Sequence, residues 1–110
     1  MKSKPLAQSR RTLPEPPPAG WTFFTNHAHV LFAVAADPEA RLRDLAERVG
    51  ITERAVQRIL ADLQAEKYVT VIKAGRRNRY KIHHRPSLRH PIERHRTVKA
   101  LLEFVAGDGR

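Results

Sequence analysis

At 110 residues the chain has the length of one domain, and a proline-rich start leaves about ninety residues for a core, too few for a second folded unit or a large enzyme cleft. Lysine and arginine number 21 against 11 acids, a net charge of +10, and 15 of the bases are arginine, which favours an anionic partner. No cysteine is present, which excludes disulfides, cysteine-ligated zinc, iron–sulfur clusters and thiol nucleophiles, and the longest apolar run, seven residues at 30–36, is far short of the roughly twenty that span a bilayer. The basic start runs into Arg10, Arg11 and prolines instead of an apolar stretch, so no secretory signal is expected and the location expected is cytoplasmic.

In chain order, residues 1–20 hold Pro5, Pro14, Pro16, Pro17, Pro18 and Gly20 beside Lys2, Lys4, Arg10 and Arg11. They have too little apolar surface to offset ordering and read as a flexible basic arm. Trp21, Phe23 and Phe24 follow, and are expected to plug the start of the core. A first helix is expected from a cap at Thr25 or Asn26 to Ala36, with Val30, Leu31 and Val34 buried and Asp37-Pro38 as the stop. Leu42, Leu45, Ala46 and Val49 recur at helical spacing up to Gly50, and a connection of three residues, Gly50-Ile51-Thr52, leads to a third helix. Thr52 is its N-cap, Glu53 suits its positive end, and Val56, Ile59, Leu60 and Leu63 form its apolar stripe as far as about Glu66.

There the period changes from 3.6 to 2. Val69 and Val71 alternate with Thr70 and Ile72, and Tyr80 and Ile82 with Arg79 and Lys81, around an arginine-rich tip at residues 74–78. Beyond Pro86 a last amphipathic helix is expected from about Pro91 to Val105. The chain thus divides into an arm (1–20), a folded domain (21–85) and a C-terminal helix with tail (86–110). The charge is local: residues 67–96 carry ten bases and one acid, a net +9, whereas residues 37–66 carry five bases and seven acids. A basic patch on a nearly neutral fold is the consequence.

Two helices joined by a short glycine-containing turn, preceded by a helix and followed by a hairpin, make a winged helix-turn-helix, mainly α with a small β-hairpin. The run from Leu42 through Gly50-Ile51-Thr52 to Leu63, with Tyr68-Val69-Thr70 and Gly75-Arg76-Arg77-Asn78-Arg79-Tyr80 behind it, resembles the MarR/ArsR-like winged helix-turn-helix transcriptional regulators of prokaryotes over about residues 25–83. That resemblance implies a recognition helix over residues 52–66, held by Ala46, Ile51, Val56, Leu60 and Leu63. Lys67 departs from it, because the family usually has glycine there; a left-handed lysine costs about 1 kcal/mol or more, so an altered exit from the third helix is expected.

Sequence-specific binding of double-stranded DNA as a transcriptional regulator is therefore expected. Thr52, Glu53, Arg54, Gln57 and Arg58 begin the recognition helix, where Arg54 and Arg58 match guanine and Gln57 matches adenine at about 1–3 kcal/mol each. Lys73, Arg76, Arg77, Asn78, Arg79 and Lys81 form the wing, at reach of phosphates or a minor groove over about residues 69–83. Ile92, Val98, Leu101, Leu102 and Val105 are the candidate dimer seam, as relatives of the fold commonly dimerise through terminal helices; packing back on the first helix is the alternative.

Other chemistry has little support. His27 and His29, His83 and His84, and His90 and His95 have no helical ligand spacing, so no metal is expected. No cofactor is expected either, and no phosphate loop or nucleophile elbow suggests an enzyme. The remaining alternatives are a winged helix docking a protein, which calls for a more apolar face, and non-specific binding of nucleic acid.

Overall fold

Asp37, Gly50, Lys67 and the Gly75 turn end the successive elements of the computed structural model, which describes residues 15–107. Helix α1 (Asn26–Ala36) starts after Thr25 and buries Val30, Leu31, Ala33 and Val34. Helix α2 (Leu42–Val49) buries Leu45, Ala46 and Val49. At Gly50 the backbone turns left-handed (φ 87°), and the Gly50 and Ile51 N–H groups both donate to the Ala46 carbonyl at 2.8 and 3.1 Å. A side chain is doubly disfavoured at this position, since a Cβ there would stand 2.9 Å from the Pro17 ring. Residues 15–20 of the expected arm are exposed and pass this turn at Pro17; residues 1–14 lie outside the described residues.

Helix α3 (Glu53–Ala65) opens on Thr52, whose hydroxyl oxygen accepts the Ala55 N–H at 3.0 Å, and buries Val56, Ile59, Leu60 and Leu63 against α1 and α2. Its exit corrects the expectation for Lys67. The lysine takes up the left-handed conformation (φ 66°), Tyr68 N–H reaches the Leu63 carbonyl at 2.9 Å, and Lys67 N–H reaches that of Gln64 at 3.0 Å. This is the six-residue closure that glycine ordinarily makes, kept here because Tyr68 and Val69 are buried and hold the turn in place. Lys67→Gly is expected to raise stability by about 0.5–1 kcal/mol, read as a higher urea midpoint at unchanged slope.

Strands β1 (Val69–Ala74) and β2 (Arg77–Ile82) pair antiparallel, from Val69 with Ile82 to Ala74 with Arg77. The hairpin is tighter than the expected five-residue tip. Gly75 (φ 69°) at the first central position closes it in two residues, Gly75-Arg76, so Arg77 and Asn78 are strand residues. Val69 and Tyr80 join the core, with Val71 and Ile82 packed against it, and Tyr80 N–H donates to the Pro38 carbonyl at 2.9 Å, which fixes the α1–α2 loop along the outer edge of β2.

Helix α4 spans only Val98–Leu102 and runs into a wider π-type turn at Glu103–Gly107. The helix expected from Pro91 therefore begins seven residues later, for two reasons. Leu88 N–H donates to the Arg96 carbonyl at 2.9 Å, closing the intervening residues into a loop, and the Thr97 hydroxyl accepts the Ala100 N–H at 3.2 Å as the true N-cap. Tyr68 ties this segment down through a 2.9 Å hydrogen bond to the Ser87 carbonyl. The expected aromatic plug is also corrected: Trp21 and Phe23 stack edge-to-face at 5.1 Å on the surface, with Phe23 89% exposed. The core closes instead on Val98, which is fully buried.

Candidate nucleic-acid interface

The buried stripe of α3 determines what its other side presents. Arg54 and Arg58 stand opposite Val56, Ile59, Leu60 and Leu63, with Glu53 and Gln57 beside them, and all four are exposed. Neither arginine has an ion-pair partner among the described residues. Asp62, one turn beyond Arg58 and the acid along the helix placed to occupy it, pairs instead with His27 of α1 at 2.8 Å. Thr52 is held differently, since its oxygen is engaged as the helix cap. The arginines are thus free on a helix whose start is capped and whose back is packed.

On the hairpin the register separates the wing residues. Lys73 and Asn78 are direct partners on the face that carries Val71 and Tyr80, whereas Arg77, Arg79 and Lys81 share the opposite face with Thr70 and Ile72. Arg76 occupies the turn. Lys73, Arg76 and Lys81 have no ion-pair partner among the described residues, but two of the wing arginines do have contacts. The Arg77 guanidinium donates to the Glu39 carbonyl at 3.0 Å, and Arg79 Nε lies 3.6 Å from the Glu39 carboxylate.

Two residues of this surface escape sequence reasoning. Gln64, near the end of α3, accepts the Val71 N–H on its side-chain oxygen at 2.9 Å and so couples the helix to the wing. Glu39 lies in the α1–α2 loop and meets β2 only through the fold. An acid after Asp37-Pro38 carries no local signal for either contact.

The residues expected at a dimer seam are split. Val98 is inside the protomer's core and is corrected accordingly, and Leu101 and Leu102 are half-buried against that core. Ile92 belongs to the loop before α4 and is 77% exposed, and Val105 is exposed in the terminal turn. Ile92, Phe23, Phe24 and Phe104 line one groove of about 1070 Å³ floored by Leu31, Leu63 and Leu101. Phe104 is 79% exposed, so this end of the molecule presents aromatic and aliphatic surface to solvent.

No helix among the described residues is long and apolar enough to cross a membrane, and none of their His, Asp and Glu side chains gather in threes at metal-binding distance. A search of curated proteins returns no match. The family model for the MarR family matches residues 24–79, from the turn before α1 into β2. With three helices packed as a helix-turn-helix, a paired wing, and more than half of its length matched, the chain belongs to the MarR family, whose domain is that of DNA-binding transcriptional regulators.

Proposed function

We propose that this protein binds double-stranded DNA sequence-specifically, as a homodimeric transcriptional regulator, with the start of α3 in the major groove and the wing on phosphates or an adjacent minor groove. The observation that carries the reading is the exposed trio Arg54, Gln57 and Arg58, free of ion-pair partners among the described residues, on the first turns of a helix that is capped by Thr52 and coupled to a basic hairpin by Gln64. A helix fits the major groove, and its first turns go deepest. Side chains that must match base edges need a rigid base, which the packed stripe of α3 supplies. The exposed start of α3, with Glu53, Arg54, Gln57 and Arg58 and no large apolar side chain, disfavours a protein-docking role, because protein interfaces centre on apolar and aromatic side chains.

The wing supplies affinity without sequence information. Binding of labelled duplex, followed by fluorescence anisotropy across a salt series, is expected to weaken steeply, with each neutralised phosphate contributing about −0.9 to the slope of log K against log salt. A near-flat slope would overturn the reading. The apolar groove end, with Phe23, Ile92, Phe104 and Val105 exposed, favours a second copy of the chain as its cover, as is usual in the family.

A further inference from the structure

We propose that Glu39 is an affinity-setting residue of the wing: its carboxylate occupies Arg79 in place of a DNA phosphate and so holds binding below what the wing's charge allows. This rests on the DNA-binding reading and deepens it. Glu39 is an acid placed against an otherwise basic hairpin, and it meets β2 in two chemically separate ways. Its backbone carbonyl accepts from Arg77 at 3.0 Å, next to the Tyr80–Pro38 backbone hydrogen bond of 2.9 Å. Only its carboxylate, 3.6 Å from Arg79 Nε, uses the side chain. The backbone contacts position the loop whatever residue 39 is, whereas the carboxylate adds charge alone.

Both members of the Glu39–Arg79 pair are more than half exposed, 65% and 56%, so the pair is weak and exchangeable. A phosphate is the better partner for a guanidinium, offering bidentate, charge-assisted hydrogen bonds. To take Arg79, however, it must displace a carboxylate that then remains close by as a like charge. Arg77 differs, because a carbonyl holds it and no carboxylate pairs with it among the described residues. The wing's charge is thus divided: Lys73, Arg76 and Lys81, with no ion-pair partner among the described residues, are available at once, and Arg79 is attenuated.

Glu39→Gln removes the charge and keeps the carbonyl, so the fold is expected to stay intact, checked by an unchanged melting temperature. On a duplex of arbitrary sequence at low salt, Glu39→Gln is expected to bind about two- to five-fold more tightly, with a salt slope steeper by about 0.9. In an Arg79→Ala background the same substitution is expected to change affinity by less than about two-fold. Unchanged or weaker binding by Glu39→Gln overturns the proposal, as does an equal gain with and without Arg79, which would make the carboxylate a through-space repulsion only. Wild-type protein with a steep salt slope but no Glu39→Gln gain sinks this role and leaves DNA binding standing; wild-type protein that fails to bind duplex sinks both.

Discussion

Arg54→Ala, tested against a duplex selected from a random library, is expected to lower affinity by about 5- to 150-fold, the equivalent of one bidentate arginine–guanine contact of about 1–3 kcal/mol. On a duplex of arbitrary sequence the loss is expected to be several-fold smaller, because only the charge is missed there. Two structural facts set this asymmetry. Arg54 stands opposite the buried stripe of α3, and no acid pairs with it among the described residues. Arg76→Ala is the control, since Arg76 sits in the wing turn and is expected to weaken selected and arbitrary duplexes alike, with the salt slope reduced by about one phosphate. Should Arg54→Ala weaken both duplexes equally, α3 is not the reading helix. The capped start makes the test clean: Thr52 and Ala55 maintain the first turn without any contribution from the Arg54 side chain.

A second large effect is expected at the opposite feature of the surface. Replacing both Phe23 and Phe104 by Asp places two charges on the rim of the apolar groove, where each phenylalanine is mostly exposed in the protomer and contributes little to its folding. Light scattering at tens of micromolar is expected to pass from dimer to monomer mass with helical content retained. Affinity for a duplex with two half-sites is then expected to fall about 10²- to 10⁴-fold, because the second half-site is no longer engaged at high effective concentration. Wild-type protein that already scatters as a monomer would refute the two-fold assembly. Val98 is the wrong place for such a test. It is fully buried among the core side chains, and a charge there would destabilise the protomer itself.

Signals within a few residues made the helix-turn-helix legible. Gly50 needed its left-handed turn, Thr52 its capped N–H, and the apolar spacing of Leu45, Val49, Val56, Leu60 and Leu63 allowed only one pair of buried faces. The same locality explains the errors. A long apolar pattern suggested a helix from Pro91, but the decisive Leu88–Arg96 backbone hydrogen bond and the Thr97 cap depend on how residues 83–97 return along Tyr68. Trp21 and Phe23 are apolar enough for a core, and hydrophobicity alone does not say whether a side chain faces the protomer's interior or its outer surface.

The sequence by itself determined the first three helices and the hairpin, the left-handed glycine turn at Gly50, and the concentration of positive charge on residues 67–96. These follow from periodicity, backbone sterics and composition, which act within one element at a time. Only the tertiary structure decided which bases are free. Glu39 lies 38 residues from Arg77, Asp62 lies 35 residues from His27, and each pairing exists because separate elements pack against one another. Charge is therefore additive along a chain, but its availability to a phosphate is not, because one folded acid can occupy an arginine that a count of residues leaves open.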